Sequence, residues 1–162
     1  MVLIRPATAR DVPTLLQLVR ELAAYDRLDY ETAVTEEDLM RDGFGPAPKF
    51  RVLLAESEGQ IAGYALFFEF YSSFQGRAGL FLDDIFVRDA FRKQGVGKAL
   101  LGHVARLAIE EHYFCIRCET LNWNKAALGF YRDLGALFLD EWKSVCLVGE
   151  SLEAVADAKA SH

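Results

Sequence analysis

Cysteine and histidine are scarce, with three of each in 162 residues, and an odd cysteine count closes no disulfide framework. His103, His112 and His162 share no metal-ligand spacing with one another or with the cysteines, so no metal site is expected. Basic residues are outnumbered, 18 against 24 acidic, and the net charge of -6 without a basic stripe argues against nucleic acid and suits a cationic partner. No apolar run nears the ~20 residues of a membrane span. The start Met1-Val2-Leu3-Ile4-Arg5-Pro6 lacks the regions of a signal peptide. Linkers, repeats and low-complexity runs are missing before the C-terminal tail. The expectation is a soluble cytoplasmic protein, one domain over 1–149 with a tail over 150–162, long enough to bury a core.

What is present starts with Arg92-Lys93-Gln94-Gly95-Val96-Gly97-Lys98, between the apolar run Leu80 to Val87 and a helical pattern from Val96 onward. Two glycines let backbone N–H groups converge on an anion, and the new helix adds unpaired N–H groups and the positive end of its dipole. Arg92, Lys93 and Lys98 suit the same ligand. A P-loop needs Ser or Thr after Gly-Lys, but Ala99 follows Lys98, and a dinucleotide fingerprint needs a third glycine or alanine where Leu100 stands. The remaining Arg-x-x-Gly-x-Gly resembles the pyrophosphate loop of the GNAT superfamily of N-acetyltransferases, whose donor is acetyl-coenzyme A. An ordinary strand-to-helix turn fits the same glycines.

The rest of the chain reads as alternating elements. Val2 to Arg5 is a short strand, Thr8 or Asp11 opens a helix to about Tyr25, and Thr35 with Asp38 forms a capping box for a second helix stopped at Gly43. Phe50 to Ser57 and Ile61 to Tyr71 are strands joined at Glu58-Gly59-Gln60, followed by the strand Leu80 to Val87. Val96, Leu100, Val104, Leu107 and Ala108 recur at helical spacing. Then come a strand from Phe114 to Leu121, a helix from about Lys125 to Leu134 ended by Gly135, and strands near Ala136 to Leu139 and Lys143 to Val148. This order is an α/β (α+β) domain with a mixed central β-sheet flanked by helices. Cys115 and Cys118 make a Cys-x-x-Cys inside the Phe114 to Leu121 strand rather than at a helix N-terminus, so the pair reads as structural.

The element order is that of the GNAT fold, and the similarity extends over nearly the whole chain. Ile4-Arg5-Pro6-Ala7-Thr8, Arg20-Glu21-Leu22-Ala23, Asp42-Gly43-Phe44-Gly45, Leu82-Asp83-Asp84 and Trp123-Asn124 through Phe130-Tyr131 resemble the diamine (spermidine/spermine) acetyltransferase branch. The resemblance implies acetyl-CoA-dependent acetylation of a primary amine, usually by a homodimer. Relatives in this branch also acetylate thialysine-like amino acids. A lysine-like or protein-lysine acceptor therefore stays open, as does a non-enzyme role as an acyl-CoA-binding sensor or interaction module.

The residues fit that chemistry. An alkylamine of pKa ~10.4 costs roughly 4 to 5 kcal/mol to present neutral at pH 7, so a proton must be removed. Asp83 and Asp84 are unusual in mid-strand, and alternation aims them at opposite faces, at least one towards a polar pocket. The resemblance places Asp83 where relatives carry a glutamate that holds the amine and helps take its proton. The shorter side chain here favours a water relay or another substrate length, and a carboxylate capping backbone or pairing with arginine is the structural alternative. Tyr131 is the candidate acid for the departing thiolate, since a phenol of pKa ~10 can donate to a sulfur whose reference is about 8.5. Asn124 lies seven residues earlier with the small Ala127 between. The resemblance puts Tyr131 at the sulfur and Asn124 along the pantetheine arm, although Asn124 also suits an N-cap. Backbone of Ile85, Phe86 and Val87 is the segment for strand-like addition of the pantetheine amides. From Asp26 to Asp42 seven acids face only Arg27 and Arg41. Most such runs are solvated faces, but the resemblance matches Tyr25 and Asp26 to substrate contacts. Direct attack in a ternary complex is expected, because no cysteine is placed for a covalent intermediate.

Overall fold

The computed structural model describes residues 1–158; residues 159–162, with His162 and the end of the expected tail, lie outside the described residues. The chain forms two compact units, Met1–Leu121 and Asn122 onward.

In the first unit the strands are β1 (Val2–Pro6), β2 (Arg51–Ser57), β3 (Gln60–Ser72), β4 (Arg77–Val87) and β5 (Ile116–Cys118), with helices α1 (Val12–Tyr25), α2 (Glu36–Phe44) and α3 (Val96–Glu110) between them. The sheet order is β1-β2-β3-β4-β5. Every pairing is antiparallel except β4 with β5, so the sheet is mixed as expected. Both faces are covered. One cluster joins Leu53, Ala55, Phe67, Leu80 and Leu82 to Leu100 and Val104 of α3, and the other joins Leu54, Tyr64, Leu66 and Phe86 to Leu15 and Leu18 of α1 and Leu39 of α2. Double coverage is why β2 and β3 read as near-continuous apolar runs.

Local signals behave as their chemistry requires. Glu58 and Gly59, both at positive φ, make a two-residue hairpin between Ser57 and Gln60. Thr35 caps α2, accepting from the Asp38 N–H while Asp38 accepts in return. Gly43 does not stop that helix. It runs through to Phe44, and a Cβ on Gly43 would collide with the Phe50 ring, so the residue is small for packing rather than for a turn. On β3 a Cβ at Gly63 would overlap the Phe86 carbonyl, so its absence lets β3 lie close along the end of β4.

The Asp83–Asp84 expectation needs correction. Leu82 pairs with Phe67 and Asp84 with Leu66, which leaves Asp83 as an extra residue in β4. Strict alternation is broken there. Leu82 and Ile85 pack on the same α3-side cluster although they are three apart, while Phe86 is on the other. The strict alternation that assigned Asp83 and Asp84 to opposite faces therefore does not hold through this bulge.

In the second unit, α4 (Lys125–Asp133) is followed by Gly135 at φ 76, the left-handed stop expected there. The two strands expected near Ala136 to Leu139 and Lys143 to Val148 are not formed. Instead Trp142 N–H turns back to the Leu139 carbonyl, and the segment 150–156, expected as tail, holds helix α5 (Glu150–Ala156). An apolar alternation supplies strand propensity but not the neighbouring edge that a ladder requires. Leu137, Val145 and Val148 are accordingly exposed.

Candidate active site

The site begins where β4 outruns its parallel partner. β5 ends at Cys118, opposite Leu82, while β4 continues through Ile85, Phe86 and Val87. Antiparallel pairing with β3 continues on the other edge to Val87. Beyond Leu82 this edge of β4 pairs with no strand among the described residues, which suits strand-like addition of an extended ligand.

Beyond Val87 the chain reaches the glycine turn. Lys93 is at φ 58 and Gly95 at φ 82, the latter serving as the N-cap of α3 without a side-chain cap. The N–H groups of Val96, Gly97 and Lys98 precede the first intrahelical bond, from Ala99 to Gly95. Lys93, Gln94, Gly95 and Lys98 are exposed, and a Cβ on Gly95 would meet open space. Val96 is buried in the core, so only its backbone faces the turn. The segment is a ready anion site of N–H groups, dipole and two lysines. Gln94 also steadies the turn by donating to the Ala90 carbonyl.

Arg92 sits differently from its neighbours. Its Nε donates to the Val87 carbonyl at 2.9 Å, it pairs with Asp89 at 2.7 Å, and its guanidinium stacks on the Tyr25 ring at 4.3 Å. Tyr25 in turn contacts Phe86 at 6.5 Å between ring centroids. Arg92 thus ties the end of α1 to the end of β4, a positioning task that the sequence pattern, which reads Arg92 as a phosphate ligand, does not reveal.

Asp84 lies within electrostatic reach of Asp83 on its own strand and of Asp26 at the end of α1. The buried Tyr64 hydroxyl donates to Asp84 at 2.8 Å. Burial first, then the charges of Asp83 and Asp26, push the Asp84 carboxyl up to about 6 against the opposing hydrogen bond from Tyr64. Asp83 reaches solvent, yet surrounding protein and then the negative Glu119 raise its carboxyl as well. Burial raises Asp26. Among the described residues no lysine or arginine pairs with Asp26, Asp83 or Asp84. The arrangement attracts a cation and offers it basic oxygens.

The acidic run is divided by the fold. Asp42, held down to about 2 by Arg41 and Lys49, and Asp38, lowered by Thr35, belong to the α2 surface, whereas Asp29, Glu31, Glu36 and Glu37 are exposed. Only Asp26 of this run acts electrostatically on Asp84. Tyr64, Asp84 and Glu119 were absent from the expected site. The mid-strand aspartate pair signals Asp84, but nothing local signals Tyr64 or Glu119.

In the second unit, Asn124 is the N-cap of α4 and its Oδ1 accepts from the Ala127 N–H at 3.1 Å. The capping alternative is therefore realised. Tyr131 is buried one face along the same helix, edge-on to Phe130 at 5.3 Å. Among the described residues Cys115 and Cys118 are in no disulfide, and burial raises Cys115, the opposite of a reactive cysteine. Among the described residues no group of three or more His, Cys, Asp or Glu could hold a metal, and no helix is long and apolar enough to cross a membrane.

The mixed sheet, in which β4 outruns its parallel partner and leads into an uncapped, glycine-led helix N-terminus, has the arrangement that the resemblance to the GNAT fold implies. Residues 14–136 match the acetyltransferase (GNAT) family. Thialysine N-epsilon-acetyltransferase of Sus scrofa is 37% identical, covering 96% of this chain and 97% of its own. Spermidine/spermine N(1)-acetyltransferase-like protein 1 of Homo sapiens is 35% identical over 84% of this chain, within 20% of that longer protein. In fold, an integron cassette protein of V. cholerae superposes with a TM-score of 0.80 at 22% identity, covering 97% and 98% of the two chains. The chain belongs to the GNAT family of acetyltransferases and is an acetyl-CoA-dependent N-acetyltransferase.

Proposed function

We propose that the chain transfers acetyl from acetyl-CoA to a primary amine of a small cationic acceptor, polyamine- or diamine-like, by direct attack in a ternary complex. The observation that carries this reading is the set of carboxylates without basic partners at the β4 bulge, beside the cleft where β4 outruns β5. The pantetheine amides add to the backbone of Ile85, Phe86 and Val87, and the pyrophosphate is held by the N–H groups of Gln94 to Lys98 with Lys93 and Lys98. Asn124 and Ala127 line the pantetheine arm, and Tyr131 serves the sulfur. Asp83 takes the amine proton, directly or through water, while Tyr25 and Asp26 contact the acceptor.

A thialysine acceptor is the second reading. Relatives named for it match along nearly their whole length, and Asp83 is one methylene shorter than the glutamate of the diamine branch. Thiol release from acetyl-CoA across spermidine, spermine, diamines, thialysine, lysine and peptides separates the two. Turnover confined to thialysine overturns the polyamine reading, and tight acetyl-CoA binding with no turnover restores the sensor. The proposal includes a homodimer, supported by the exposed apolar side chains of the second unit and checked by sedimentation. It also includes a cytoplasmic location, which suits three cysteines that form no disulfide among the described residues.

The cofactor assignment has its own test. Gly97→Leu, in the first turn of α3, is expected to leave the far-UV spectrum unchanged and raise the acetyl-CoA Kd about tenfold or more, the scale of one lost charge-assisted hydrogen bond. Wild-type affinity by calorimetry would remove the turn from the donor site.

A further inference from the structure

Tyr64 presents a problem that packing alone does not solve. It stands on β3 with none of its surface exposed, in the cluster with Leu15, Leu18 and Leu54 and edge-on to Phe86. Phenylalanine would fill that place without bringing into the core a hydroxyl that must be satisfied. The hydroxyl is spent on one partner, Oδ2 of Asp84 at 2.8 Å. Among the described residues Oδ1 of Asp84 has no protein hydrogen bond, and it is not sealed from solvent. One carboxylate oxygen is thus anchored from inside the core while the other keeps some contact with solvent, one residue past the bulge at Asp83.

We propose that Tyr64 is a positioning residue for the acceptor: its buried hydroxyl orients Asp84 so that the second carboxylate oxygen receives an ammonium group of the cationic amine. This deepens the acceptor reading above and rests on it. The charged and titratable groups acting on Asp84 are Tyr64 from β3, Asp83 on its own strand and Asp26 at the end of α1. The nearby Arg92 guanidinium is engaged with Val87, Asp89 and Tyr25. A carboxyl pushed up by burial must ionise to hold a cation, and the Tyr64 hydrogen bond favours its ionised form. Removing the hydroxyl therefore moves the loss of acceptor binding to higher pH.

The test is calorimetric binding of spermidine and of thialysine between about pH 5 and 8, where alkylamines stay cationic, to wild type, Tyr64→Phe and Asp84→Asn. Wild-type affinity should weaken as pH falls through about 6. Tyr64→Phe should move that midpoint up by about one unit and weaken binding roughly three- to tenfold at pH 7, with acetyl-CoA affinity and melting cooperativity kept. Asp84→Asn should weaken binding and abolish the midpoint. A Tyr64→Phe protein that binds and titrates like wild type overturns the proposal. If that variant does not fold, wild-type affinity and pH dependence in Asp84→Asn overturn it instead. Wild type that binds neither amine at any pH defeats the acceptor reading itself, and the positioning role with it.

Discussion

Tyr131→Phe should fold as wild type and lose turnover by on the order of 10² or more, the lower range for a positioned acid. The substitution keeps the ring, so the edge-on contact with Phe130 and the burial of this face of α4 persist. The helix end persists too, because the N–H groups of Leu134 and Ala136 bond to the Tyr131 carbonyl rather than to its side chain. What disappears is the phenolic hydroxyl, with its proton. When the amine displaces coenzyme A, the carbon–sulfur bond breaks and its electron pair leaves on sulfur. A thiolate expelled into a site without a donor carries its full charge, whereas a phenol of pKa ~10 shares or gives a proton to it. Acetyl-CoA affinity should change far less than kcat, since the ground-state thioester is a weak acceptor. Single-turnover thiol release is the measurement. An unchanged rate would leave Tyr131 as a packing residue.

Replacing Asp83 by asparagine should cost roughly 10- to 100-fold in kcat/KM for the cationic acceptor while acetyl-CoA binding persists. Asparagine preserves size at the bulge, so the β3 register should hold. It removes the negative charge and, with it, the proposed base. A carboxylate raised by neighbouring protein and by Glu119 is a better proton acceptor than a free aspartate. Asp83→Glu separates two origins of the short arm. Faster polyamine turnover would mean that the reach of Asp83 limits a polyamine enzyme; slower thialysine turnover would mean that the reach is tuned to that acceptor. Rates indifferent to both substitutions across a pH series would leave Asp83 without a role in the acceptor step.

The bulge at Asp83 marks the boundary of what could be read in advance. The mid-strand Asp83-Asp84 pair marked a polar stretch of β4, and Gly95 with Gly97 marked the turn into α3. The faces of the two carboxylates do not follow from alternation, which holds only while the register with β3 is unbroken. The register slip is a property of two strands, not of one. The Tyr64 partner of Asp84 is twenty residues away, and a tyrosine inside an apolar run carries no local mark of a partner across the sheet. Arg92 shows the same limit from the other side: its position beside the glycines suggests phosphate, while its contacts run to Val87, Asp89 and Tyr25.

By itself the sequence determined the elements whose causes lie within a few residues. These are the Glu58-Gly59 hairpin, the Thr35 and Asp38 capping box, the helix stop at Gly135, and the apolar spacing that turns α3 against the sheet. Capping, positive φ and periodicity are contacts or preferences of near neighbours, so residue order alone specifies them. Only the tertiary structure decided which of the seven acids from Asp26 to Asp42 acts electrostatically on Asp84, that Gly43 makes room for Phe50, and that the apolar stretch after α4 forms no strands. Each of these depends on a partner distant in the chain. A strand needs an edge, a carboxylate needs a burial environment and charged neighbours, and neither is encoded at the position that uses it.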